Sequence, residues 1–184
     1  MRVAVMGLLG VFLLLTPSAA VASPTPQSQP SPLILTPADL GPGFDFIDQA
    51  TTSFGATEGV TAQFALFRRP PDAAGGGPYL VETAYITGAT QDIAGIDPLR
   101  DGLMTGVTGG GQFFTTRRVQ GPSVGDGTAW FTGRGTAADA VHEIHGVLAR
   151  VGQAYVAVVI LGFEGQVEQS MAGDYARVAV DRVR

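Results

Sequence analysis

The run Ala154 to Leu161, AYVAVVIL, limits the fold more than any other part of the chain. It is apolar without alternation, rich in β-branched residues and bounded by Gly152 and Gly162, the pattern of a strand buried on both faces. Gly152-Gln153 can reverse the chain, so the preceding stretch from Ala140, of mixed polarity, pairs with it as a hairpin. The rest of the chain must then supply neighbouring strands and two covering layers.

The N-terminus takes no part in that core. Met1-Arg2 is a minimal basic region, Val3 to Leu15 an apolar one, and Ala20-Val21-Ala22 a small-residue cleavage pattern, together a signal peptide cut after Ala22. The apolar part falls short of the roughly 20 residues that span a bilayer as a helix. Ser23 to Pro32, SPTPQSQPSP, is Pro-rich and polar, an extended spacer. Residues 33–184 then form one domain, secreted or extracytoplasmic, with no membrane span after cleavage.

Composition removes several chemistries. Cysteine is absent, which excludes thiolate and redox work and leaves stability to packing. Every basic residue is Arg, so Schiff-base, P-loop and Ser–Lys mechanisms lack their lysine. With 11 basic and 16 acidic residues the formal charge is −5, and cleavage of Arg2 makes it more negative still. An acidic chain without a basic cluster argues against nucleic acid as partner.

The remaining elements follow from periodicity. Thr36-Pro37-Ala38-Asp39-Leu40-Gly41 reads as one helical turn with an N-cap, a proline at the first position and a glycine stop, seating Leu35 and Leu40. Strands are expected over 44–52, 60–67, 79–87, 112–119 and 128–136, before the two of the hairpin. In the third, Leu80, Ala84 and Ile86 share one face, with Tyr79, Val81 and Tyr85 on the other. Ile93, Ile96, Arg100, Leu103, Met104 and Val107 advance at helical spacing, with Asp97 as N-cap and Pro98 first in the helix. Gln166 to Val183 forms a closing helix with Val167, Met171, Tyr175 and Val178 as its apolar stripe. The order β-β-β-α-β-β-β-β-α describes an α+β domain: a mostly antiparallel sheet of about seven strands covered by two main helices.

Two motifs suggest catalysis and are answered by their context. Gly121-Pro122-Ser123-Val124-Gly125 matches the G-x-S-x-G of serine hydrolases, but that elbow needs a helix after the serine and a strand follows here. His142-Glu143-Ile144-His145 lies in a strand-like run, where the two histidines point to opposite faces. Neither a metal nor a cofactor is therefore expected. The Arg68-Arg69 and Arg117-Arg118 doublets flank an anion together only if their strands are neighbours. The better ligand-binding candidates are Tyr79 and Tyr85, expected on one face, and Trp130, which shares a strand face with Thr128, Thr132 and Arg134.

LTPADLGPGF near the mature start, VGDGTAWF before a strand, and the closing apolar strand and helix resemble small exported actinobacterial-type domains. These in turn are similar to extracellular sensor domains of bacterial Ser/Thr kinases and to the Mog1/PsbP-like α/β/α sandwich. The kinase sensor domains typically carry disulfides, which this chain cannot form. The resemblance implies a non-enzymatic binding or sensing module for a small or apolar ligand or a cell-envelope partner. A serine hydrolase using residues 121–125 and a purely structural interaction domain are the alternatives.

Overall fold

A computed structural model describes residues 35–53, 61–70, 76–88, 95–107, 114–137 and 139–184. The expected signal peptide and Pro-rich spacer, and Ile93 at the head of the expected helical stripe, lie outside the described residues.

The elements are α1 (Pro37–Leu40), β1 (Asp45–Ser53), β2 (Thr61–Arg68), β3 (Leu80–Thr87), α2 (Ile96–Val107), β4 (Phe114–Val119), β5 (Gly127–Ala137), β6 (Ala140–Val151), β7 (Ala154–Phe163) and α3 (Gln169–Val183). All seven strands form one antiparallel sheet in the order β1-β2-β3-β7-β6-β5-β4. The apolar run becomes β7 at its centre, with Ala154 to Gly162 buried. Gly152, at φ +58, turns the chain from β6 into β7, a backbone conformation that costs glycine little.

Central placement gives β7 two cores. On one face Leu80, Ala84, Ile86, Phe131, Ile144, Ala157, Val159 and Leu161 pack with Leu103 of α2. On the other Phe67, Val81, Trp130, Val147, Val158 and Ile160 pack with Ala172, Ala176, Ala179 and Val180 of α3 and with Leu35 and Leu40 around α1. We call these the α2 face and the α3 face. α2 lies over β4, β5 and β6, and α3 over β6 and β7.

The one-turn helix is held by more than its proline. The Asp39 carboxylate accepts from the Thr36 N–H and hydroxyl, both at 2.6 Å, and from Arg182 of α3 at 2.5 Å. The N-terminal cap thus also ties α1 to the end of α3. α2 begins at Ile96, so Asp97 sits inside its first turn and pairs with the buried Arg100 at 2.7 Å instead of capping.

The stripe expected on α3 is rotated. Its buried residues are Ala172, Gly173, Ala176, Ala179 and Val180, whereas Val178 is 37% exposed and Met171 and Tyr175 lie at the flanks. Small residues face the sheet because the helix sits close to the Trp130 ring. A Cβ on Gly173 would meet that indole at 3.0 Å.

Candidate functional site

The four residues expected to bind ligand go to four environments. Trp130 is 2% exposed and donates Nε1–H to the Pro122 carbonyl at 3.0 Å. Gly121 and Gly173 flank the indole where any side chain would collide with it. Trp130 is a core residue, not the wall of an opening. Thr128, on the same strand face, fastens the loop before β5 by bonding both the N–H and the carbonyl of Val124, at 2.7 and 2.6 Å.

Tyr79 and Tyr85 do not share a face. Tyr85 pairs in register with Gln63 and Val156 and packs on the α3 face. Tyr79 stands just before β3 and packs on the α2 face, so it does not continue the alternation that runs from Leu80. The chain reaches it through Gly76 and Gly77, both at positive φ, and Pro78. Its hydroxyl meets His142 Nδ1 at 2.8 Å, and the Phe163 ring lies 5.4 Å from it and 5.1 Å from His142. Burial pushes the Tyr79 phenol up to about 12, so it stays neutral at any ordinary pH.

Of the four, Arg134 is the one that lines a cavity found among the described residues. On the α3 face, past the reach of α3, a depression of about 340 Å³ is lined by Thr115, Thr116, Arg117, Thr132, Arg134 and Glu143. Its geometry comes from register. Thr115, Arg134 and Glu143 lie opposite one another on β4, β5 and β6, and the next row on that face is Arg117, Thr132 and His145. Arg134 pairs with Glu164, and Glu143 accepts the Gly165 N–H at 3.0 Å. Arg117 is exposed and carries no ion pair among the described residues. His145 Nδ1 lies 3.3 Å from the Thr132 hydroxyl. Its pKa is lowered by desolvation, against the opposing pulls of Glu143 and the Val167 backbone, so it adds no charge at neutral pH. Guanidinium groups beside threonine hydroxyls suit recognition of an anionic or polar group.

The catalytic motifs take the form their context predicts. Ser123 lies in an exposed loop that leads straight into β5, so no helix N-terminus stands behind it. Both imidazoles are engaged elsewhere, His142 with Tyr79 and His145 with Thr132. The histidines do fall on opposite faces, and His142 is 5% exposed, a core residue and not a surface one. Among the described residues no three metal-ligating side chains converge. The arginine doublets are separated by the width of the sheet, β2 near one edge and β4 at the other. Arg69 is spent on the Pro78 carbonyl at 2.7 Å and the Phe44 ring, and Arg118 on Asp101 at 2.5 Å.

Sequence reading named Arg134 and Thr132 but missed Thr115, Arg117 and Glu143 as their companions. The available signal was the Arg117 doublet on a strand next to β5, and only the register shows which arginine faces the cavity.

No family model matches the chain, and no curated protein matches it. Among solved structures, the extracellular domain of PknH from Mycobacterium tuberculosis is similar, with 14% identity and a TM-score of 0.52. The match covers 82% of this chain and 92% of that one. At this identity the likeness is one of fold, and it agrees with the kinase-sensor-like architecture expected from the sequence.

Proposed function

We propose that the protein is an extracytoplasmic, non-catalytic binding domain, and that the depression on β4, β5 and β6 is its recognition surface. The observation that carries this reading is the convergence of Arg117 and Arg134 with Thr115 and Thr132 in one cavity beside α3. The fold likeness to the extracellular domain of a Ser/Thr kinase supports a sensing or docking role over catalysis. No described helix is long and apolar enough to cross a membrane, and a secreted location accords with the expected signal peptide.

The chemistry of the site shifts the expected ligand. With Trp130 in the core and Tyr79 on the opposite face, this depression suits a polar molecule or envelope component bearing an anionic group, not an apolar one. Arg117 supplies a positive charge without an ion-pair partner among the described residues, and the Glu143 carboxylate stands in the same lining. Arg134, held by Glu164, orients a second donor plane.

The test is retention of material from the protein's own cell envelope. Tagged mature protein is compared with an Arg117→Ala, Arg134→Ala double variant, whose two substitutions lie at exposed positions. A component held by the wild type and lost by the variant supports the reading. Equal retention by both places recognition elsewhere.

A further inference from the structure

The sheet ends in two unlike edges. β1, at one of them, is interrupted by a shift of register against β2 between Phe46 and Asp48. β4, at the other, runs in unbroken register with β5 from Phe114 to Val119 and pairs with no other described segment. A bulge twists an edge away from further pairing, whereas a regular edge offers its outer N–H and C=O groups to any strand laid beside it. Thr115, Arg117 and Arg118 of β4 are all exposed. Alternation puts Thr115 and Arg117 on the α3 face, where both line the depression. Arg118 falls on the α2 face and meets Asp101 at 2.5 Å.

A strand added outside β4 lies about 4.8 Å from it, so its side chains meet Thr115 and Arg117 first. Arg134 and Glu143, opposite Thr115 on β5 and β6, stand one and two strand spacings further in. Both are also engaged there, Arg134 with Glu164 and Glu143 with the Gly165 N–H. Arg117 has no ion pair among the described residues. Across a strand pair opposite charges attract and like charges repel, so the arginines set a condition on what the edge accepts. A second β4 laid antiparallel on the first brings guanidinium groups together. An acidic strand instead sets a carboxylate against Arg117.

Resting on the depression as the recognition surface, we infer that its partner is an extended acidic segment of another protein, which β4 takes up as an eighth strand of the sheet. Backbone hydrogen bonds from the outer side of β4 hold the segment. Its alternate side chains project over the rim of the depression, where Arg117 receives a carboxylate and the Thr115 hydroxyl stands on the same face.

Short peptides of alternating threonine and aspartate, titrated calorimetrically into the purified protein, test this. Asparagine in place of aspartate should weaken binding about threefold or more. N-methylation at every aspartate, or at every threonine, removes the donors along one side of the peptide strand. One of the two methylated peptides turns its methyl groups to β4. It should bind at least about tenfold more weakly than the other, whose methyl groups face solvent. Arg117→Ala should abolish the preference for aspartate over asparagine, and Arg134→Ala should keep it. Methylated peptides that bind alike overturn strand addition. If inorganic phosphate then still binds in a way that needs Arg117, the depression remains an anion site and only the partner assignment falls. If neither phosphate nor peptide binds, both fall. Sedimentation of the protein alone examines a second copy as occupant. Self-association abolished by Arg117→Ala would identify the added strand as β1 of another molecule, with Asp45 and Asp48 as its acids, and would overturn the assignment to a separate partner.

Discussion

The two long helices cover β4 to β7, α2 over β4, β5 and β6 and α3 over β6 and β7, whereas β1 to β3 form the other side of the sheet. The two sides treat buried polar groups differently. In the first, the Trp130 indole, the Thr128 and Thr132 hydroxyls and the His142 ring all have partners. In the second lie Gln49, Gln63, Glu82 and Thr83, whose side-chain oxygens are the buried ones without a partner among the described residues. Gln49, Gln63 and Thr83 surround Ala65 on the α3 face, and Glu82 stands on the other. An unmade buried hydrogen bond costs about 1–3 kcal/mol, so one side of the sheet secures the fold while the other carries strain that a ligand, partner or water can relieve.

The sharpest way to break this comparison is to attack the secured side. Trp130→Ala should cost about 3–5 kcal/mol in urea denaturation, because the flanking Gly121 and Gly173 have no side chains to fill the space. A loss below 1 kcal/mol would mean that the helix-covered half is not what holds the domain together.

The next largest effect lies in the other half and depends on pH. The folded carboxyl of Glu82 titrates near 7, against an ordinary value of 4.5. Between those values the folded state keeps a proton that the unfolded chain has released. Its contribution to stability is therefore full below pH 4.5, declines as pH rises to 7, and is flat beyond. Glu82→Gln has no proton to lose. Stability of the variant relative to wild type should rise by roughly 3 kcal/mol between pH 4 and pH 8. Chemical denaturation at several pH values checks this, and parallel curves for the two proteins would show that the carboxyl is well solvated or paired.

A single substitution made in both halves should then give opposite signs. Thr83→Val removes an unpartnered hydroxyl that is 1% exposed, and should stabilise by about 1 kcal/mol. Thr132→Val removes a hydroxyl that donates to the Ile144 carbonyl at 3.0 Å, and should destabilise by about as much. If Thr83→Val destabilises instead, an ordered water or a covering group already satisfies that oxygen.

How much of this could be read in advance depends on the range of the interaction. The β6–β7 hairpin and the α1 turn were legible because their signals are local: an unbroken apolar run, a glycine turn, a threonine and a proline in fixed order. The Arg117–Arg134 depression was not, since it exists only where Thr115, Arg134 and Glu143 come level on three strands. Glu82 did leave a trace, as a lone acid between Leu80 and Ala84 on a face otherwise apolar. Alternation shows that it points inward but not that nothing meets it. The buried face of α3 was misread for a different reason. Hydrophobic stripes favour bulky residues, and here close approach to the Trp130 ring selects Ala and Gly.

That rotated helix face offers the smallest test. Val178 belongs to the stripe expected from the sequence, and at a core position its truncation would cost a kilocalorie or more, as lost hydrophobic burial does. The structure leaves Val178 37% exposed, on the side of α3 away from Ala176 and Ala179. Val178→Ser should therefore change stability by no more than about 0.5 kcal/mol, the range of ordinary surface substitutions. Ala176→Leu, which pushes a large side chain into the fully buried contact with the sheet, should cost about 1–3 kcal/mol by overpacking. The reverse ranking would turn α3 back onto its bulky stripe and separate Gly173 from Trp130. The support for β6 and β7 would then have to come from a different packing of the helix.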